Sequence, residues 1–485
     1  MPKKLILSAL RQTFIFFLFF TNVHFSFGQK KISKTDLISD LEFAKKSLEK
    51  YHLGMYYYES TEDYENRFSN IKSELPDSLN LQEAYYATAK LVAGLKDLHT
   101  GVYFPKKAQK NFKKALPLVL RKYGDHFYIH YNLSEDSTII RTTELLDIED
   151  FPVAELYEKF REYYGTDNGN TQSKKYYAER AFPRYLNYFL GKKDSVNIRY
   201  RVAPDSIIQS KKLALETSKN TNKILKKRYK NATRANFGFK IIDSTNHVAV
   251  LDIISFMHKN GKLDVFQRKF KKDLTEKIKI ANKAGIENLV IDLRANGGGL
   301  IANVKRLTRQ FAKEPFYMTD SVIVKKAAFK KIFPVYSLSR PIARLYFKPF
   351  GEDKLIRLKK PKNLIQPAKK NHFDGKLYVL MDGGSYSATT FTIGLWKDMQ
   401  LATFVGTRPG GANWGSFAGQ WKVVKLPKSG IRVRIPAYKI VHSQVNQTNK
   451  TFFVEPDYYV EQSFEDFKIR KDTQLDFVLD LIKNK

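Results

Sequence analysis

Two stretches rich in glycine and serine hold the residue types best suited to catalysis. One of them, MDGGSYSATT (381–390), follows the apolar run KLYVL and precedes FTIGLWKDM, whose apolar residues recur at helical spacing. This pattern predicts a strand, a turn of small residues and a helix. Such a turn gathers backbone N–H groups and a hydroxyl at the positive end of a helix. It therefore suits either an exposed serine nucleophile with an oxyanion site or an ordinary tight turn.

The other stretch, VIDLRANGGGL (290–300), also follows an apolar run and opens a predicted helix. Its three consecutive glycines allow backbone conformations that are closed to other residues, and their N–H groups could bind an oxyanion. A phosphate-binding loop is the alternative, but no Lys-Ser/Thr pair follows and no GxGxxG spacing is present. The residues therefore give little support to nucleotide binding.

A serine nucleophile requires a base, and the chain has nine histidines. His99, in LKDLHTGVYF, lies at a predicted helix-to-strand turn, with Asp97 and Thr100 beside it. A capping or surface role is the alternative reading of this histidine. His442, in YKIVHSQVN, is a second candidate, although its alternating strand pattern indicates a residue on a sheet face.

Composition excludes several classes of protein. The 485 residues include no cysteine, which rules out a disulfide scaffold, a thiol nucleophile and thiolate-bound zinc. There are 84 Lys and Arg against 49 Asp and Glu, a formal net charge of +35. This excess indicates either a lysine-rich solvated surface or weak attraction to anionic surfaces such as envelope polymers and acidic lipid head groups. No recognition motif accompanies the charge, so a nucleic-acid partner is not expected.

The first residues predict export. Residues 1–28 run from lysines through a Phe-rich apolar stretch to small residues, which is the layout of a secretory signal peptide. A retained membrane anchor is the alternative, because the apolar part approaches the length of a span. We expect cleavage after about Gly28, a periplasmic or extracellular location, and no membrane span thereafter.

The remaining chain divides into blocks with different patterns of apolar and polar residues. Helical periodicity at 35–52, 61–75 and 80–95 predicts an N-terminal helical domain over 29–115. Short alternating strands and one helix predict a small mixed domain over 116–205, followed by a basic connector over 206–235. Strands alternate with helices over 236–485, which predicts an α/β core with a largely parallel sheet.

The motifs DLHT, LLDIEDFPV, VIDLRANGGG, GGSYSATT, VGTRPGG and VEPD occur in an order that resembles the tail-specific (C-terminal processing) and tricorn-core serine peptidases. The resemblance spans about Asp97 to the C-terminus. It implies a crotonase/Clp-protease-like α/β core and a PDZ-like module at 116–205. It also implies Ser387 as nucleophile, with Ser385 two places earlier, and the N–H groups of Gly298 and Ala388 as oxyanion donors. No metal or organic cofactor is implied.

The chain departs from the processing branch in one turn. That branch uses a catalytic lysine in the glycine-rich turn after the strand that follows the nucleophile helix. Here the turn reads GTRPGGANWG, with Ala412 and Asn413 and no lysine. The tricorn-like branch uses serine, histidine and glutamate, which implies His99 as base and Glu455, in the VEPD segment, as the third member. Thr100 is the nearest equivalent of the serine beside the histidine in that branch.

A second departure lies in the PDZ-like module. Thr143 and the pair Glu149 and Asp150 stand where the family usually has glycine and Asn-Gly. Binding of peptide tails by this module is therefore not predicted.

The sequence thus predicts an exported serine endopeptidase that hydrolyses peptide bonds of protein or peptide substrates through an acyl-enzyme on Ser387. A catalytically inactive peptidase-like scaffold that binds peptides or anionic envelope polymers is the alternative. If the enzyme is active, the N-terminal block must fold back over the carboxyl ends of the core strands to bring His99 to Ser387.

Overall fold

A computed structural model describes residues 31–202, 207–230, 232, 234–258, 264, 267–358, 360–368, 370–443 and 452–484. The predicted signal peptide lies outside these residues. The N-terminal block is helical as predicted, and polar side chains cap its helices: Ser33 caps the first, while Ser60 and Asn80 form capping boxes. Its elements are β1 (Ile32–Ser33), α1 (Lys34–Tyr51), α2 (Thr61–Ser73), β2 (Ser78–Leu79), α3 (Leu81–Ala93), β3 (Gly101–Tyr103) and α4 (Lys106–Gln109).

The middle of the chain forms an antiparallel sheet with two long helices against it. The strand order is β10-β9-β7-β6-β5. The elements are β4 (Lys114–Ala115), β5 (Leu118–Tyr123), β6 (His126–Asn132), β7 (Glu144–Ile148), β8 (Phe151–Pro152), α5 (Val153–Glu162), α6 (Thr171–Leu190), β9 (Ser195–Arg201), β10 (Ile208–Ala214), β11 (Glu216–Thr217) and α7 (Ser218–Arg228). The predicted connector at 206–235 thus supplies β10, which extends this sheet, and α7. Its lysines lie on the exposed edge strand and helix, which is why the stretch resembles a linker in sequence.

The last block begins with β12 (Phe239–Asp243), β13 (Val248–Asp252), α8 (Arg268–Lys283), β14 (Asn288–Asp292) and α9 (Ile301–Thr308). The next segment has elements that the sequence patterns did not predict. They are β15 (Thr319–Lys325), α10 (Lys326–Ile332), α11 (Ser339–Tyr346), β16 (Lys348–Phe350) and β17 (Lys354–Leu358). The chain ends with β18 (Lys376–Met381), α12 (Ala388–Asp398), β19 (Thr403–Gly406), β20 (Gly415–Lys425), β21 (Arg432–His442), β22 (Tyr458–Tyr459), α13 (Phe464–Lys468) and α14 (Thr473–Lys483).

These elements form two further sheets, so the protein has a mixed α/β fold with several sheets. One has the order β12-β13-β14-β18-β19-β22 and is parallel from β13 to β22, as the alternating pattern predicted. Its core packs against α8, α9 and α12. The other has the order β16-β17-β15-β21-β20 and also pairs β21 with β3 of the N-terminal block. No helix in the described ranges is both long and apolar enough to span a bilayer.

One hydrophobic core joins the N-terminal block to distant parts of the chain. It contains Leu41 and Leu48 of α1, Phe160 of α5, and Val433 and Ile435 of β21, all of which are buried. The pairing of β3 with β21 places Gly101 opposite Arg434. The block that carries His99 is therefore packed into the rest of the protein, as the proximity of His99 and Ser387 requires.

Candidate active site

The two small-residue turns lie side by side at one edge of the parallel sheet. β14 and β18 are neighbouring parallel strands, so the turns that follow them emerge together. The backbone N–H of Tyr386 donates to the carbonyl of Asn296 (3.0 Å), and the Ser385 hydroxyl donates to the carbonyl of Leu293 (2.9 Å). Ser385 therefore ties one turn to the other and is buried, whereas Ser387 is partly exposed.

Ser387 has a backbone conformation that few residues adopt. Its φ is +59° and its ψ is −120°, and it is the N-cap residue of α12. Positive φ is costly for a residue with a side chain, so the surrounding turn must hold it in place. The result is a hydroxyl projecting from the turn at the N-terminal end of a helix. Of the two alternatives for residues 381–390, the conformation thus favours an exposed serine over an ordinary tight turn.

His99 lies against this hydroxyl. Its Nε2 is 3.0 Å from Oγ of Ser387, although the two residues are 288 positions apart. Two backbone contacts fix the histidine: its N–H donates to Asp97 Oδ1 (3.0 Å), and its carbonyl accepts from Nε of Arg434 (3.0 Å). The ring is buried and stacks on the half-exposed ring of Trp421, with ring centroids 5.6 Å apart.

The other nitrogen of His99 meets the residue next to the serine. The hydroxyl oxygen of Tyr386 is 2.6 Å from His99 Nδ1, and that hydroxyl donates to Asp167 Oδ1 (3.2 Å). The N–H of Leu98 donates to the same carboxylate oxygen (3.1 Å). Because Nε2 must accept a proton from Ser387 if it acts as a base, Nδ1 carries the proton and donates it to the tyrosine oxygen.

A second buried group of polar side chains lies behind His99. Asp97 Oδ2 accepts from Nε2 of His52 (3.0 Å) and from the hydroxyl of Thr100 (2.5 Å). Nδ1 of His52 in turn accepts the N–H of Gly54 (2.8 Å). His52 and Thr100 thus satisfy the Asp97 oxygen that points away from His99, and Asp97 Oδ1 lies 3.9 Å from His99 Nδ1. Thr100 contacts this group and not Ser387.

Burial sets the protonation of the groups around the serine. It lowers the pKa of His99 to about 4, with Arg434 acting in the same direction and the charge of Asp97 opposing it. Burial, together with repulsion from Asp97, raises the pKa of Asp167 to about 8. Burial also acts to raise the pKa of Asp97, but the hydrogen bonds that this carboxylate accepts, first of all the one from His52, outweigh burial, so this pKa lies below its ordinary value. At neutral pH the imidazole is therefore a neutral base, Asp97 is ionised, and Asp167 is largely protonated.

The predicted oxyanion donors flank Ser387. The N–H of Ala388 opens α12 and has no acceptor among the described residues. Gly298 lies against the serine: its φ is +97°, and a Cβ added there would be 2.7 Å from the Tyr386 carbonyl and 2.8 Å from Ser387 Cβ. Its N–H donates to Oδ1 of Asn296 (2.9 Å). Ala388 is thus a free donor, whereas Gly298 shapes the turn and has an acceptor from its own loop.

The structure does not bring Glu455 to His99. Its carboxylate accepts from Nε of Arg408 (2.8 Å) on the surface, and its carbonyl accepts from Lys397 (2.5 Å). Neither contact involves His99, whose Nδ1 is occupied by Tyr386. The prediction of Glu455 as the residue that orients His99 is therefore replaced by Tyr386 with Asp167 behind it. The reason is local, because the two basic neighbours hold the VEPD segment at the surface.

The alternative base and the lysine-free turn have other roles. His442 is buried and its Nδ1 lies 3.0 Å from the carbonyl of Asn413, while its ring stacks on Phe391 at 4.2 Å. Neither contact involves Ser387. In the turn before Ala412, the N–H of Gly410 donates to the Ser385 carbonyl (2.8 Å). This hydrogen bond links the lysine-free turn to the turn that carries Ser385 and Ser387.

Sequence reasoning missed three members of the network. Tyr386 lies inside the quoted GGSYSATT motif, where the family pattern leaves that position variable. Asp167 and His52 come from loops 68 positions after and 47 positions before His99, and no spacing rule connects them to it. Nothing in the sequence pointed to them, because the burial of Asp97, which requires hydrogen-bond partners, is seen only in the structure.

A strained serine at a helix N-terminus with a neutral histidine against it defines a candidate serine hydrolase on a mixed α/β scaffold. Residues 247–460 match the model of peptidase family S41. The chain therefore carries a peptidase S41 family domain, which implies a serine-type peptidase hydrolase acting on protein or peptide substrates. This match confirms the resemblance seen in the sequence motifs.

Solved structures agree on the fold. The structure of mature CPAF gives a TM-score of 0.61 at 16% sequence identity, covering 93% of this chain and 98% of that chain. A mutant of CPAF gives 0.65 at 16% identity with the same coverage, and mature CPAF complexed with lactacystin gives 0.62 at 17%, covering 93% and 99%. No curated protein sequence matches the chain significantly. At these identities the likeness extends to the fold alone.

Proposed function

We propose that the protein is a serine endopeptidase that cleaves peptide bonds through an acyl-enzyme on Ser387. The observation that carries this proposal is the 3.0 Å contact between His99 Nε2 and Ser387 Oγ, made at a serine of positive φ. The S41 family domain supports the same reaction class. The family resemblance implied the serine and histidine, and the geometry supports both in those roles.

In the proposed first step, Ser387 Oγ attacks the scissile carbonyl while His99 Nε2 takes the serine proton. The imidazolium then returns this proton to the leaving amine. The oxyanion of the tetrahedral intermediate is stabilised by the Ala388 N–H, a donor whose loss typically costs about 3 kcal/mol in such sites. Water attacks the acyl-enzyme in the second half, with His99 again acting as the base.

Tyr386 and Asp167 take the orienting role in this proposal. The tyrosine oxygen accepts the Nδ1 proton and thereby fixes the ring and its tautomer, and its own proton is directed to Asp167. The ionised carboxylate of Asp97, 3.9 Å from Nδ1, stabilises the imidazolium by charge. In a Ser-His-Asp triad one carboxylate both orients the histidine and stabilises its charge. Here Tyr386, with Asp167 behind it, orients the ring, and Asp97 stabilises the charge.

Hydrolysis of an unfolded protein substrate tests the proposal. Ser387→Ala should abolish turnover, whereas Ser387→Ala with full turnover would refute it. A matched control is Thr389→Ala, which also removes a hydroxyl from the start of α12, but a fully buried one that does not contact His99. Loss of activity in both variants would indicate damage to the turn, so the folded state of each is checked by circular dichroism.

The same proposal includes export to the periplasm or beyond, on the basis of the signal-like sequence at residues 1–28. The inactive scaffold remains the competing outcome of the hydrolysis test. It predicts no turnover by the unmodified protein, together with peptide or polymer binding that weakens with salt.

A further inference from the structure

The segment from α10 to β16, residues 326–350, exposes large apolar side chains to an unusual extent. We call it the insertion; it contains α10, α11 and β16. Leu338 is 93% exposed, Tyr336 89% and Val335 83%, and Leu345 and Ile342 of α11 are 76% and 60% exposed. A cluster of this kind on one short segment marks an interaction surface, because soluble proteins rarely expose contiguous apolar patches.

Two adjoining cavities lie at the base of the insertion. One, of about 500 Å³, is lined by four basic side chains, Lys305, Arg309, Arg357 and Lys360, and by no acidic residue. The other, of about 440 Å³, is mainly apolar and is lined by Phe333, Ile342, Phe347 and Tyr438 among others. Tyr346 and Arg357 line both cavities. A basic site and an apolar groove are thus continuous with each other.

The charge of the insertion has one sign. Its 25 residues include no Asp or Glu and six basic residues, namely Lys326, Lys330, Lys331, Arg340, Arg344 and Lys348. The nearest acidic residues in the sequence are Asp320 before it and the pair Glu352 and Asp353 in the turn that leads to β17. Basic side chains interspersed with exposed Leu, Ile, Val and Tyr are the composition of segments that lie in a membrane interface.

We propose that the insertion docks on an anionic phospholipid bilayer. The exposed apolar side chains enter the boundary between head groups and acyl chains, and the basic cavity binds a lipid phosphate. Basic residues near an anionic bilayer contribute an attraction that salt screens, while the apolar side chains add a contribution that salt does not screen. The docking surface is separate from the candidate active site, since none of the residues of either cavity contacts Ser387 or His99.

Charge argues against a second copy of the chain as the occupant. A two-fold symmetric contact would place the same patch on both sides of the interface. Two such surfaces would then face each other, each with six basic residues and only Glu352 and Asp353 beside them, and the net positive charge on both sides opposes association. An anionic bilayer supplies both the opposite charge and the apolar medium that the insertion requires.

Vesicle co-sedimentation tests the proposal. The protein beginning at residue 29 is used, because it retains every described residue and lacks the apolar leader. It should pellet with vesicles of equal parts phosphatidylglycerol and phosphatidylcholine, and much less with phosphatidylcholine alone. The double variant Leu338→Ser with Leu345→Ser should reduce binding at least about tenfold, and Arg344→Gln with Lys348→Gln should reduce it most at low salt.

Two matched controls separate this surface from general effects. Ile469→Ser removes an apolar side chain that is 73% exposed elsewhere, and Lys226→Gln with Lys227→Gln removes two charges from α7. Both should bind as the unmodified protein does. No binding to anionic vesicles, equal binding to both lipid compositions, or equal losses in the control variants would overturn the proposal. It would also be overturned if light scattering showed a dimer that the Leu338 and Leu345 variant dissociates, since a second copy would then occupy the surface.

Discussion

The hydroxyl of Tyr386 lies 2.6 Å from Nδ1 of His99, on the opposite side of the ring from the serine that follows Tyr386 in the sequence. Adjacent residues of one turn therefore contact both nitrogens of the same imidazole. Ser387 reaches Nε2 from a strained backbone at the start of α12, and Tyr386 reaches Nδ1 from within the buried core. The turn that presents the nucleophile thus also orients the base.

Replacing Tyr386 with Phe should lower kcat by about 10- to 100-fold with little change in KM. The ring still fills its site, but Nδ1 loses its partner and the imidazole loses its preferred tautomer. Steady-state kinetics on a peptide substrate measures this effect. The control is Tyr86→Phe, which removes a buried hydroxyl that donates to the Tyr185 carbonyl and not to His99 or Ser387. Equal rates in Tyr386→Phe and the unmodified enzyme would exclude the orienting role.

Asp167→Asn should have little effect at pH 7 and a clear effect above pH 8. The pKa of Asp167 is raised to about 8, mainly by burial, so its neutral form predominates at pH 7 and asparagine resembles that form. In the unmodified enzyme, kcat/KM should change as Asp167 ionises near pH 8, and this inflection should be absent from the variant. An identical inflection in both proteins would assign the titration to another group.

The same carboxyl predicts how stability depends on pH. Its pKa is higher in the folded state than in the unfolded state, so the folded protein retains a proton that the unfolded chain releases. Its contribution to the free energy of unfolding is fully present below pH about 4 and is lost as the pH rises to about 8. Urea unfolding should show this decline between pH 5 and 8, and Asp167→Asn should make the curve flatter. A steeper decline in the variant would contradict the raised pKa.

Glu455→Gln should leave kcat/KM within about twofold. Its carboxylate pairs with Arg408 at the surface, where a salt bridge contributes about 0–1 kcal/mol. Arg408→Gln should behave in the same way, because it removes the other half of the same pair. A loss of 100-fold or more in Glu455→Gln alone would restore this glutamate as the third catalytic residue.

Gly298→Ala should abolish activity and destabilise the protein, because the new Cβ would lie 2.7 Å from the Tyr386 carbonyl at a φ of +97°. The preceding glycine offers a matched control. A Cβ at Gly297 would meet nothing closer than the Tyr177 hydroxyl at 3.9 Å, so Gly297→Ala should fold and cleave normally. Activity assays and thermal melts of the two variants make the comparison. Loss of activity in both would mean that the whole loop, and not the contact at Gly298, is sensitive.

The parts of the site that could be predicted are those set by local sequence. Buried strands followed by small residues indicated the turns around Gly298 and Ser387, and parallel neighbouring strands bring those turns together. Local sequence offered His99 and His442 as candidate bases, and only the family resemblance favoured His99, since its contact with Ser387 depends on the pairing of β3 with β21. Asp167 could not be predicted, because its role arises from tertiary packing alone.

In the fold, too, the elements set by local sequence were predicted and those set by tertiary packing were not. Capped helices of the N-terminal block and the alternating core were predicted from periodicity and capping residues. The basic stretch at 206–235 resembles a connector in sequence because its lysines conceal the alternation of β10, which lies at a sheet edge. The insertion was not predicted, because its elements are short and its apolar residues face outward, whereas periodicity rules assume that they face a core.

The pH dependence of kcat/KM tests the neutral state of His99. Burial lowers its pKa to about 4, so activity should rise with pH through about 4 and then remain level to neutral pH. Asp97→Asn removes the charge that opposes this shift and should move the acid limb to still lower pH. It should also lower kcat, because the imidazolium loses its buried counter-charge. A limb that stays near pH 6.5 in both proteins would mean that the base is solvated.

The central claim is that Ser387 is a nucleophile activated by His99, and the rate of covalent labelling by a fluorophosphonate probe tests it most directly. Mass spectrometry of the intact protein and of its peptides locates the adduct and gives the second-order rate constant. The account predicts one adduct, at Ser387, with no labelling of Ser387→Ala and labelling at least about 100-fold slower in His99→Gln. An adduct elsewhere, or equal labelling rates in His99→Gln and the unmodified protein, would contradict it.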